Sequence, residues 1–183
     1  MKRAVLFLAT GFEEMEAVGI VDVLRRGGIE TTVVSITRKR YVTGAHGLTI
    51  AVDALLSKTD FLTVDALILP GGMPGSRNLN DCESLKQLLI THNKRGKLIA
   101  AICAAPLVLG GIGLLLGYKA TCYPGFESQL IGADITGEAV VVDRNMITGK
   151  GPGWVFDFAL AIVKALKGKA VAEEVANGLL LQN

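Results

Sequence analysis

The sequence predicts an α/β fold in which a mostly parallel sheet carries helices on both faces. Three observations lead there. Short aliphatic runs alternate with longer helical patterns, the order expected of strand–helix–strand units. Apolar residues make up 50% of the 183, yet aromatics only 5%, a Leu-, Val-, Ile- and Ala-rich balance unlike that of a β-sandwich. Several strand candidates are continuous apolar runs, as strands buried on both faces are. The length suits one domain over residues 1–183, large enough for a two- or three-layer core.

The elements follow in order. Residues 3–9 are a buried strand, and Thr10-Gly11 turns the chain. Residues 13–26 form a helix ended by Gly27-Gly28, as a glycine C-cap would end it. Glu13, Glu14 and Glu16 sit in its first turns, where the helix dipole favours acids. Glu13 and Glu14 are read as a solvated helix start. Glu16 shares a face with Ile20 and Val23, so it either points inward, with a raised pKa, or belongs to that solvated start. Residues 29–36 are a second strand. The polar stretch 38–47 leads through a turn and short hairpin into 48–52, with His46 in the loop as a weak site candidate. Residues 64–69 are a third core strand, followed by Pro70-Gly71-Gly72. Paired glycines there let backbone N–H groups turn toward a ligand, or simply make a turn.

Asn80 or Asp81 caps a helix reaching about Lys94, and Asn80 with Glu83 has capping-box spacing. His92 and Cys82 on that helix read as structural or exposed. The next stretch, Lys97-Leu-Ile-Ala-Ala-Ile-Cys103-Ala-Ala-Pro106, is a buried central strand that turns sharply into a helix. Pro106 is excluded from the strand but suits a first helical turn. Cys103 therefore stands at the C-terminal edge of the sheet, where ligands bind in open α/β folds. A helix N-terminus there lowers a thiol pKa, so Cys103 is expected to be the most acidic of the three cysteines. The alternative is a small hydrophobe filling the core. Further on, 119–122 is a short strand, 126–131 a helical turn, and 139–142 and 146–148 two strands joined at Asp143-Arg144-Asn145. Gly151-Pro152-Gly153 opens a helix to about Leu166, with Lys150 either helping to hold an anion or lying on the surface. Val171, Val175 and Leu179 mark a last helix.

Charge and cysteine use narrow the function classes. A net charge of +2 and a pI of about 8.4 give no case for nucleic acid, and Arg38-Lys39-Arg40 reads as a solvated turn. Three cysteines without a C-x-x-C pair suit a reducing cytoplasm. Met1-Lys2-Arg3 leads straight into a strand, so no secretory signal is read, and no apolar run is long enough for a membrane span.

Three separated segments resemble one family. Gly11-Phe-Glu-Glu-Met-Glu16, Leu69-Pro-Gly-Gly72 and Ala100-Ala-Ile-Cys-Ala-Ala-Pro106 are similar to signature segments of the ThiJ/PfpI superfamily, in the branch of the Parkinson's-associated protein deglycase and its bacterial relatives. Gly151-Pro-Gly153 and Phe156-Asp-Phe-Ala-Leu-Ala-Ile add a fourth match. The resemblance implies a flavodoxin-like three-layer sandwich with Cys103 at a nucleophile elbow, and a homodimer. It implies that Cys103 is the reactive nucleophile, often oxidised, with Glu16 bonded to its sulfur and the N–H groups of Gly72 and Ala104 binding an oxyanion. Tyr123, His46, Lys150, Gly151 and Pro152 remain auxiliary candidates.

The sequence departs from the family at informative places. Peptidase-like members carry His directly after the cysteine, where this chain has Ala104. Many members of the nearest branch place His at the position of Tyr123, and a phenol is a poor base near neutral pH. A Cys–His–acid hydrolase is therefore disfavoured. The expected activity is a glyoxalase or deglycase reaction on small α-oxoaldehydes such as methylglyoxal and glyoxal, or on their early glycated adducts. It needs no metal or organic cofactor. The alternative is a redox sensor or chaperone that uses oxidation of the same cysteine.

Overall fold

The computed structural model describes residues 1–181. The chain opens with β1 (Arg3–Leu8), α1 (Glu14–Arg26) and β2 (Glu30–Ser35), then the hairpin β3 (Tyr41–Thr43) and β4 (Thr49–Ala51), and β5 (Ala54–Leu55). Next come β6 (Ala66–Leu69), α2 (Gly75–Asn80), α3 (Glu83–Lys94), β7 (Leu98–Ile102) and α4 (Pro106–Gly111). The last third holds β8 (Lys119–Ala120), β9 (Asp134–Ile135), β10 (Val140–Asp143), β11 (Met146–Gly149), α5 (Val155–Lys167) and α6 (Lys169–Gly178).

Seven strands form the main sheet in the order β10-β11-β7-β6-β1-β2-β5. All neighbours are parallel except β10 and β11, which the Asp143–Asn145 turn folds antiparallel. The chain winds one way from β1 to β2 and the other way from β6 to β7. With right-handed crossovers, α1 and α3 must then lie on opposite faces. α1 packs against α5, and α5 against α6, while α2 contacts both α3 and α4. The result is the mostly parallel, helix-covered sheet read from the sequence.

The central strands owe their place to their apolar runs. Leu6, Phe7 and Leu8 of β1, Leu67, Ile68 and Leu69 of β6, and Ile99 to Ile102 of β7 are fully buried. Each large side chain so buried contributes about 1.5–3 kcal/mol. α1 adds a stripe of Ala17, Ile20, Val23 and Leu24. It ends where Gly28 takes a φ of +66° and donates to the Arg25 carbonyl.

Two expectations fail locally. Asn80 does not cap α3 but closes the separate short helix α2. α3 begins after Cys82, without a side-chain cap. Six residues are too few to show a periodic pattern, so the sequence hid α2. Strand β8 stops at Ala120 rather than Cys122, because the Thr121 N–H turns to the Thr148 hydroxyl, 3.0 Å away.

The strand order reverses between β1 and β6, and the crevice beyond their C-terminal ends is the usual ligand position in such sheets. Three loops meet there: the one after β1 carrying Glu13 and the start of α1, the one after β6 carrying Gly71 and Gly72, and the elbow after β7 carrying Cys103.

Candidate active site

Cys103 has a φ of +64°, in the left-handed region that non-glycine residues rarely enter. Its own N–H holds the Gly149 carbonyl at 2.9 Å, and its carbonyl accepts the Tyr123 N–H at 2.8 Å. These bonds to flanking strand and loop fix the elbow. The side chain is buried at the floor of a cleft, and the N–H groups of Gly72 and Ala104 point at its sulfur.

Glu16 lies beside it. The residue is fully buried, and its Oε2 accepts the Gly71 N–H at 2.6 Å, while Oε1 has no hydrogen-bond partner among the described residues. A Cβ added to Gly71 would sit 2.8 Å from Glu16 Oε2 and 2.9 Å from Cys103 Sγ, so carboxyl and sulfur lie within about 6 Å of each other. Only glycine leaves that space open. Burial pushes the Glu16 carboxyl up to about 7, against the pull of the Gly71 and Cys103 hydrogen bonds.

The environment of Cys103 opposes the acidity expected of a thiol at a helix start. Burial, and then the charge of Glu16, push it up to about 12, above Cys122 at about 11. The Gly72 and Ala104 amides pull the other way but do not prevail. α4 has only six residues, and among the described residues no lysine or arginine lines the cleft. The pair therefore shares protons: an ionised Glu16 keeps the sulfur protonated, and a protonated Glu16 relieves it.

The remaining candidates separate. His46, at the tip of the β3–β4 hairpin, lines the cleft, with Nδ1 2.9 Å from Glu14 Oε2. Glu14 Oε1 also accepts the N–H groups of His46, at 2.7 Å, and Leu48, at 3.3 Å. Those bonds hold Glu14 below the usual carboxylate range despite its desolvation, and the carboxylates raise His46 above its ordinary value. Tyr123 and Pro152 line the cleft wall, and a Cβ added to Gly151 would come within 3.2 Å of the Tyr123 ring. Lys150 is not brought in. Its backbone N–H still pairs with Ala139 at the sheet edge, which carries its ammonium to the Gly137 carbonyl, 3.1 Å away.

Sequence reasoning missed two features. Glu13 and Glu14 are buried rather than solvated, at 9% and 8% exposed. Their partner is a hairpin some thirty residues away in sequence, so no local pattern announces it. Met15, Met73 and Phe126 complete the wall of a cleft of about 410 Å³, and none of them carries a signal beyond apolarity.

A doubly wound parallel sheet with a buried cysteine at the strand–helix elbow and a carboxylic acid beside its sulfur defines an α/β protein of nucleophile-elbow type. The sequence profile of the DJ-1/PfpI family matches residues 2–165, and the chain belongs to that family. Protein DJ-1 homolog A of Arabidopsis thaliana is 40% identical over 184 residues, which cover 99% of this chain and 47% of the plant protein. The chain thus spans about half the length of the two Arabidopsis relatives it matches. The glutathione-independent glyoxalase DJR-1.2 of Caenorhabditis elegans is 37% identical, with 92% of this chain and 88% of that protein covered. Oxidised DJ-1 of Toxoplasma gondii superposes with a TM-score of 0.96 at 38% identity over the full length of both chains.

Proposed function

We propose that this chain is a cysteine-dependent glyoxalase- or deglycase-type enzyme acting on α-oxoaldehydes or their early adducts. The observation that carries the reading is the buried Glu16–Cys103 pair, with the Gly72 and Ala104 N–H groups directed at the sulfur. The glyoxalase relative in Caenorhabditis elegans supports it. As the sulfur attacks the aldehyde carbon, Glu16 accepts the thiol proton and passes it to the oxyanion that the two amides hold, giving a hemithioacetal and a carboxylate free to act again. Glu16 then takes the proton from that carbon and delivers it to the neighbouring carbon, while the hydroxyl proton passes from the first oxygen to the neighbouring carbonyl oxygen, leaving a thioester of the 2-hydroxyacid. Water hydrolyses the thioester and regenerates the thiol. Purified protein should convert methylglyoxal to lactate and the Cys103→Ala variant should not. Equal rates for the two would overturn the reading.

A second reading uses the same sulfur as a redox sensor. Its support is the arrangement of two amides and a carboxylic acid able to hydrogen-bond the oxygens of a sulfinate. Mass analysis of Cys103 after graded peroxide measures it. A homodimer is part of the proposal, because α1 leaves Val18 exposed at the rim of a hollow that it lines with Val21, Val33 and Ile50. A monomeric mass by light scattering at micromolar concentration would refute that part. Three unpaired thiols suit a cytoplasmic setting.

A further inference from the structure

The mouth of the cleft holds an uneven set of charges. Glu13 Oε2 and Glu14 Oε2 lie 3.6 Å and 2.9 Å from one nitrogen, Nδ1 of His46. Two carboxylates thus face one imidazole, so the mouth stays negative by one charge even with His46 protonated. Glu16, deeper in, is neutral or adds a further negative charge. The other titratable lining groups are Cys103 and Tyr123, and neither supplies a cation. Glu14 is committed to the hairpin by three hydrogen bonds. Among the described residues Glu13 has no such commitment: its carboxyl meets only His46 there, and it lines the cleft directly. Around these charges the walls are apolar, from Met15, Met73 and Phe126.

We infer that Glu13 makes the cleft select by charge, admitting uncharged or cationic carbonyl compounds and turning away anionic ones. An uncharged oxoaldehyde with a small apolar group fits the methionine and phenylalanine walls. A carbonyl adduct next to a lysine or arginine cation meets a complementary field. A carbonyl compound with its own carboxylate meets repulsion at the entrance. Glu13 is a specificity residue on this view, and His46 moderates it. The inference rests on the reading of Cys103 as the attacking atom.

The test pairs two alkylating probes of similar size, iodoacetamide and iodoacetate. Both lose iodide to the Cys103 sulfur, and they differ by one negative charge. Their rate ratio cancels the fraction of thiolate, and 2-mercaptoethanol supplies the ratio for a free thiol. Relative to that reference, Cys103 should favour iodoacetamide by about fivefold, the scale of one unit charge in a partly solvated cleft. Glu13→Gln should bring the ratio toward the reference. His46→Gln should raise it, since the amide keeps a hydrogen bond to Glu14 and removes the cation. A general loosening of the site would move both variants the same way. A wild-type ratio equal to the reference, or one untouched by Glu13→Gln, overturns the inference. Methylglyoxal turnover separates the two readings: no turnover with the ratios as expected would sink the enzyme and leave the charge selection standing.

Discussion

Replacing Glu16 by Gln separates acidity from catalysis at this site. The carboxyl and the Cys103 sulfur lie within about 6 Å of each other, in a buried setting. Two unit charges ~5 Å apart at an effective dielectric constant of ~20 repel by about 3 kcal/mol, equivalent to roughly two pH units of titration. The amide removes that repulsion while its nitrogen or oxygen still fills the space. Cys103 of the variant should therefore ionise at lower pH than in the wild type, where it is pushed up to about 12. The amide cannot accept or return a proton, so kcat/KM on methylglyoxal should fall by about a hundredfold or more. Iodoacetamide rates across a pH series give the first quantity, and steady-state turnover gives the second. A variant with a more reactive thiol and much weaker turnover is the expected outcome. Unchanged thiol titration would refute the electrostatic account, and wild-type turnover would refute the proton-transfer role.

Other perturbations test the rest of the site. Tyr123→Phe removes one donor on the order of 1 kcal/mol and keeps the ring against Gly151, so kcat/KM should fall less than about tenfold. A loss matching that of Glu16→Gln would make the phenol a catalytic donor. Gly71→Ala puts a methyl group 2.9 Å from Cys103 Sγ, and both alkylation and turnover should collapse while the far-UV circular dichroism is kept. Near-normal Cys103 alkylation in that variant would show that the elbow yields. Glu16 also links stability to pH. Its carboxyl is raised from 4.5 unfolded to about 7 folded, so its contribution is full below about 4.5 and lost as pH rises through 7. Denaturant unfolding should show Glu16→Gln gaining about 3 kcal/mol on the wild type between pH 4.5 and 8, the size that linkage assigns to this shift. A pH-independent difference would contradict the burial assigned to this group.

The sheet was legible because its central strands β1, β6 and β7 are written as aliphatic runs, and the elbow because Cys103 stands between such a run and Pro106. Glu16 was only half legible: its spacing from Ile20 and Val23 offered the inward face as one of two readings, and the structure buries it. Glu13 and Glu14 defeated the same logic. They occupy the dipole-favoured start of α1, where acids need no further explanation, yet a hairpin folds over them. His92 was open between structural and exposed. It is 1% exposed, and desolvation holds its imidazole down at about 4, a result of packing below β7 that its own helix pattern does not reveal. The acidity of Cys103 was read from a helix start alone, without the helix's length or its neighbours. Six residues of α4 offer less than the burial and the facing carboxylate take away.

The left-handed backbone at Cys103 also limits which atom can do the work. A β-branched side chain at a φ of +64° collides with its own backbone, so threonine is shut out of the elbow. Serine fits, but its hydroxyl ionises far less readily than a thiol and would find only the one half-protonated carboxyl to help it. The geometry thus binds the position to sulfur, the one nucleophile here that peroxide can also convert. Aldehyde and oxidant then compete for the same lone pairs. Any carbonyl chemistry performed at this elbow falls as oxidation accumulates, and the surviving rate becomes a record of the oxidants the molecule has met.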